Sequence, residues 1–159
     1  MTLAASDGRS VVLSFVEHEH SELERELGRI YELAADAPFL PAKELSDRVA
    51  GVLGWVERSL RPHLAWEEAW LLPQIADRAE TPLVSHLARV DHAQIDRRAE
   101  HLAIIRTELL RAGSRHVATE VARELAALEA LVRASFEREE RVLLPLLEPG
   151  DPWLPEWRD

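Results

Sequence analysis

The chain has 159 residues, 47% hydrophobic and 30% charged, which suits one globular domain with a real core and excludes a disordered chain. A formal charge of −10 argues against nucleic acid, which needs a basic face, and against docking on anionic lipid. There is no cysteine, so disulfides, thiolate metal ligands and thiol catalysis are excluded, and a cytoplasmic location is expected.

Four long helices are predicted, separated by sparse Gly and Pro, with no strand pattern anywhere. The start, MTLAASDGRSVVL, does not read as a signal peptide, and no run of about 18 apolar residues suggests a membrane span. The first helix covers about residues 7–35 and carries the stripe Leu13, Val16, His20, Leu23, Leu27 and Ile30. The second covers about 41–72 with a short continuation, and its stripe is Val49, Leu53, Val56, Leu60, His63, Glu67 and Trp70. Pro62 removes a hydrogen bond to the carbonyl of Arg58, so a kink is expected there. The third helix opens at Thr81-Pro82 and ends near Gly113, with Ala88, His92, Ile95, Ala99 and Leu102 inward. The fourth covers about 116–148, with Val121, Leu125, Leu128, Val132, Ser135, Glu139 and Val142 inward. Residues 1–150 are therefore expected to form one bundle. Residues 151–159 are expected to be a Trp-containing C-terminal tail that packs over a bundle end, with a role toward a partner as the alternative. The fold class expected is all-α, an antiparallel up-down-up-down four-helix bundle.

A repeat runs through the chain. HLAWEEAWLLP at residues 63–73 is answered by SFEREERVLLP at 135–145, an offset of 72. The same offset relates Glu57 to Glu129, Arg61 to Arg133, Leu53 to Leu125 and His20 to His92. A duplicated helical hairpin is the expected origin, with His63 answered by Ser135 in the second copy.

Six polar residues interrupt the apolar stripes: His20, His63, Glu67, His92, Ser135 and Glu139. Counted from the turns, the imidazoles and Ser135 lie roughly 27–38 Å from one end of the bundle at 1.5 Å per residue, so the six should form one layer. Buried ionised carboxylates need compensation, and no Lys or Arg shares the layer. A divalent cation is the simplest answer, since imidazole with carboxylate suits iron, zinc or manganese; a metal-free polar network or hydrated pocket is the alternative. His63 and Glu67 are four apart and can share one ion. Glu68 and Glu140 fall at solvent or flank positions, from which a long carboxylate could alternatively swing to a metal or accept an imidazole hydrogen bond. Trp70 continues the core stripe, as plain packing or as a roof over the pocket, while His18, His86 and His101 are expected to point away from the layer.

The phrase His63-x-x-x-Glu67-Glu68-x-x-Leu-Leu-Pro, with Glu-His20-x-x-Leu before it and Asp-His92-x-x-Ile after it, resembles the hemerythrin-like, or HHE cation-binding, domain. The resemblance covers about residues 10–148. It implies a four-helix bundle with a non-haem, usually di-iron, centre used for oxygen binding or for iron or oxygen sensing. It puts His20, His63, Glu67, His92 and Glu139 at the metal, with Glu67 and Glu139 as bridging carboxylates. Two positions depart from the family. Ser135 stands where a His is usual, and Ala88 replaces a second third-helix His of the oxygen carriers. Both losses fall on the same iron, which argues against reversible oxygen carriage of the original kind. The expected function is metal binding, with iron, dioxygen or a related diatomic as ligand, rather than catalysis. The rival readings are a metal-poor bundle acting as an interaction module and an iron-dependent, peroxide-consuming redox enzyme. Ferritin-like di-iron chemistry is disfavoured because Glu17-x-x-His20 is the lone Glu-x-x-His on the helices that carry the layer.

Overall fold

A computed structural model describes residues 7–147, with side chains from residue 14 onward. Leu13 and the Trp-containing tail lie outside the described side chains. Among the described residues the chain is helical apart from short turns, and no strand occurs. Helix α1 is Asp7–Asp36. It runs into a 3₁₀ turn, Ala37–Phe39, and Pro41 then caps α2, which spans residues 42–78. Helix α3 is Leu83–Ala112, and α4 spans 115–143, followed by the 3₁₀ turn Leu144–Leu147. Among the described residues no helix is long and apolar enough to cross a membrane.

The helix ends follow from local chemistry. Pro82, rather than Thr81, is the N-cap of α3, and the Leu83 N–H donates to Thr81 Oγ1 at 3.3 Å. Gly113 ends α3 with φ +56°, a left-handed conformation that costs a side-chain-bearing residue more, and its N–H donates to the Leu109 carbonyl. Ser114 then starts α4, its Oγ accepting from the Val117 N–H.

Three π-helical turns interrupt the α-helices: Val56–Leu60 and Glu67–Leu71 in α2, and Glu139–Leu143 in α4. Each ends two residues before a proline, namely Pro62, Pro73 and Pro145. A proline offers no N–H to the carbonyl four residues back and crowds it, and widening the preceding turn to i→i+5 bonding relieves that crowding. Pro62 thus widens α2 locally. The widening also rotates the inward face beyond each turn. After Glu67 the buried residues are Leu71, Leu72 and Ile75, and Trp70 is exposed. After Glu139 they are Leu143 and Leu144, and Val142 is exposed. A 3.6-residue period carried through a wider turn points Trp70 and Val142 inward, whereas both are exposed, so neither continues the core stripe and Trp70 does not pack into the core. Earlier in α2, Val52 is buried and Leu53 only partly so.

Helix α4 packs on α1 and α3, and α2 packs on α3. The core has two parts. A long apolar cluster includes Leu23, Leu27, Leu60, Ile95, Val132 and Phe136. A shorter one holds Val16, Leu71, Leu72, Ile75, Ala88, Leu143 and Leu144. Four of the polar residues fall between the two: His20 follows Val16 and precedes Leu23, Glu67 follows Leu64 and precedes Leu71, His92 follows Ala88 and precedes Ile95, and Glu139 follows Phe136 and precedes Leu143, while His63 and Ser135 sit at the end of the long cluster. Apolar packing therefore fixes the polar layer from both sides. Burying a Leu- or Phe-sized side chain contributes about 1.5–3 kcal/mol, so the helix register cannot slip cheaply.

Candidate metal centre

All six polar stripe residues are buried together: His20, His63, Glu67, His92, Ser135 and Glu139. Each of the four helices contributes. His20 Nε2 lies 3.5 Å from Glu67 Oε1 and 3.3 Å from Glu139 Oε2. His63 Nε2 lies 2.9 Å from Glu67 Oε1. One atom from each of His20, His63, Glu67 and Glu139 falls within 4.8 Å of all the others. His92 approaches the same carboxylates from the other side, its Nε2 3.4 Å from Glu67 Oε2 and 3.8 Å from Glu139 Oε1. Glu67 and Glu139 each turn one oxygen toward the four-residue group and the other toward His92.

Ser135 is bonded within the layer. Its hydroxyl donates to Glu139 Oε1 at 3.0 Å, four residues on. His63 and Glu67 have the same spacing 72 residues earlier, and Ser135 faces the layer, as its place on the stripe suggested. Ala88 is buried in the shorter apolar cluster and supplies no donor.

The outer nitrogens of two imidazoles are bonded to carboxylates at the rim. His20 Nδ1 pairs with Glu140 Oε1 at 2.8 Å, and His92 Nδ1 with Glu68 Oε1 at 2.9 Å. A carboxylate only accepts, so each Nδ1 carries the hydrogen. Phe136 stacks on the His20 ring at 4.2 Å and meets His63 edge-on at 5.6 Å. Sequence periodicity marked Glu68 and Glu140 as able to reach an imidazole but could not say which one. It gave Phe136 no role. His18, His86 and His101 are exposed, as expected, and stand apart from the layer.

The inner atoms tell a different story from the outer ones. His20 Nε2, His63 Nε2, His92 Nε2, Glu139 Oε2 and both oxygens of Glu67 are buried without a hydrogen bond. Several approach one another closely, but out of hydrogen-bond geometry. Buried polar atoms are nearly always paired, and leaving one unpaired costs roughly 1–3 kcal/mol. Six such atoms facing into one layer fit cation coordination, which would satisfy them without hydrogen bonds.

Without a cation the layer is an acid–base network. Burial lowers the His20 pKa, but Glu139, Glu67 and Glu140 outweigh it and raise it to about 10. For His92, burial is likewise outweighed by Glu139, Glu68 and Glu67, and the pKa is raised. Burial would raise Glu139, yet His20 and His92 hold its carboxyl well below the usual carboxylate range.

Outside the layer, ion pairs clamp the helices. Arg61 bonds Asp96 across to α3 at 2.8 Å and Glu57 on its own helix, and Arg138 pairs with Asp91. Arg133 repeats the Arg61–Glu57 pairing with Glu129 at 2.7 Å. A groove of about 660 Å³ lies between α1 and α2, with Phe15, Trp55, Arg58 and Trp66 among its walls, and it reaches His63. Within that groove Trp66 packs against Phe15, and on its other side it stacks with the exposed Trp70.

A helical bundle with imidazole nitrogens and carboxylate oxygens converging in its core is built as a cation-binding bundle. The chain matches the model of the Hemerythrin HHE cation binding domain over residues 11–147 and belongs to the hemerythrin family. No curated protein and no solved structure matches it.

Proposed function

We propose that the protein is a non-haem iron-binding protein that binds or senses iron, dioxygen or a related diatomic, and is not primarily an enzyme. The observation that carries this reading is the set of six unpaired buried nitrogen and oxygen atoms facing into one layer. In this reading His20, His63, Glu67 and Glu139 hold one cation, and His92 with the far oxygens of Glu67 and Glu139 offers a second, poorer position. Three imidazoles and two carboxylates without a thiolate suit iron, and also admit zinc or manganese. When bound, iron would supply a redox-active centre with coordination positions the protein leaves open.

The chain's own residues do the rest. Glu67 and Glu139 supply negative charge to both positions. Phe136 fixes the plane of the His20 ring, and the apolar clusters on either side limit water. The groove at His63 supports approach of small molecules from the α1–α2 side. The unequal halves follow from an unequal repeat. We read the bundle as two copies of one helical hairpin, with successive helices alternating in direction. Support comes from the shared offset of 72, from the π turns opened by Glu67 and Glu139, and from the matching Arg–Glu pairs.

Elemental analysis of protein purified without oxygen, with an absorption spectrum before and after air, tests the reading. One to two irons per chain and new near-ultraviolet absorption on exposure to air are expected. A folded protein that carries no metal and retains none after reconstitution would favour an interaction module instead.

A further inference from the structure

We propose that Glu68 and Glu140 are positioning residues that set which nitrogen of His92 and His20 faces the core. The proposal rests on the metal-binding reading above. Each residue directly follows a core carboxylate, Glu67 or Glu139, and each reaches an imidazole on a different helix. Glu140 on α4 bonds His20 Nδ1 on α1, and Glu68 on α2 bonds His92 Nδ1 on α3.

The geometry explains why the chain carries Glu-Glu twice. The first Glu opens a π turn and points inward. The second sits at the rim, with Glu140 41% and Glu68 40% exposed, while their imidazole partners are almost wholly buried. A neutral imidazole has one N–H and one lone pair. With Nδ1–H donating outward to a carboxylate, the lone pair is left on Nε2, where it faces the other donors. The same bond holds the ring against rotation and makes it a stronger donor to a metal. The two braces serve different halves. Glu140 acts through His20 on the four-donor position, and Glu68 acts through His92 on the poorer one. Hydrogen-bond acceptance is all the role demands, so an amide oxygen can replace the carboxylate.

Zinc(II) is the probe, because it is redox-silent and leaves nuclear resonances sharp. Its affinity is measured by competition with a chromophoric chelator. Circular dichroism of each metal-free variant confirms folding. Glu140→Ala should weaken the tighter site about 10–100-fold. Glu140→Gln should keep the parent affinity, and Glu137→Ala, whose side chain pairs with Arg141 at the surface, should change nothing. In nitrogen-15 spectra of the zinc-loaded protein, the His20 Nδ1–H should persist in the parent and the Gln variant and be lost in Glu140→Ala. If Glu140→Ala does not fold, Glu68→Ala applies the same test to the weaker site and the His92 Nδ1–H. A folded alanine variant that binds zinc like the parent overturns the proposal. So does a Gln variant as weak as the alanine one, since charge or direct ligation would then be the role. A parent that takes up no zinc would instead overturn the metal-binding reading on which the proposal stands.

Discussion

Replacing Ser135 with histidine tests whether position 135 faces the proposed metal layer. Ser135 is buried, with its Oγ 3.0 Å from Glu139 Oε1. Its counterpart His63 stands four residues before Glu67 and brings Nε2 to 2.9 Å from Glu67 Oε1. A ring at position 135 would face the same layer and release Glu139 Oε1 from the serine hydroxyl. The poorer position would then gain a nitrogen donor beside His92. Two costs apply to the metal-free variant. Adding a ring to a filled core costs about 1–3 kcal/mol, and losing the Ser135–Glu139 bond about 1 kcal/mol. A fall in melting temperature of roughly 5–15 °C is expected without metal. Metal should restore it, because binding to the folded state alone stabilises that state. On the binding side, a gain of only about 1.4 kcal/mol from the new nitrogen is already tenfold in affinity. Calorimetric titration of parent and Ser135→His with iron(II) under argon reads both stoichiometry and affinity. The variant should bind more iron per chain, or bind at the weaker position at least tenfold tighter. A folded variant that binds no more iron than the parent, and no tighter, would refute the assignment of Ser135 to the metal layer.

His63→Ala should lower metal content more than Glu68→Ala, because His63 is one of the four converging residues whereas Glu68 acts through His92; equal losses on elemental analysis would show the inward face to be misassigned. Phe136→Ala should cost about 3–5 kcal/mol in urea denaturation, the usual loss for a fully buried ring, and should weaken metal binding by freeing His20; a loss under about 1 kcal/mol would contradict its stacking role. Stability of the metal-free protein should depend on pH in two directions. His20, raised from 6.5 to about 10, contributes stability that is complete below 6.5 and lost as pH rises toward 10. Glu139, lowered from 4.5, contributes above 4.5 and loses that contribution as pH falls further. Urea midpoints of the metal-free protein should therefore decline from pH 6.5 to 10, and a rise over that interval would contradict the His20 network.

The helices and the polar layer could be read from the sequence because both rest on local signals. Gly113 and Pro82 mark ends by backbone chemistry that acts within a few residues. His20, His63, Glu67, His92, Ser135 and Glu139 recur at helical spacing among apolar neighbours, and all six are buried together. The period failed just past the two glutamates. A 3.6-residue repeat carried through a π turn places Trp70 and Val142 inside, where the helix puts Leu71 and Leu143. The signal that could have prevented this was present: a proline at 62, 73 or 145 two residues beyond each wide turn, and Leu-Leu pairs straddling the turn ends at 71–72 and 143–144. What periodicity could not supply was contact across helices. Glu140 and His20 are 120 residues apart, and no local pattern says that they meet. Phe136 is similar. It reads as one more core residue until packing sets its ring against His20.

The central claim is that a metal sits among His20, His63, Glu67 and Glu139. Anomalous diffraction measured on both sides of the iron absorption edge, from crystals grown anaerobically with iron(II), tests it most directly. An edge-dependent peak enclosed by those four side chains is expected, with any second peak weaker and beside His92. An iron-soaked crystal with no peak in the layer, or with its strongest peak on surface carboxylates, would contradict it.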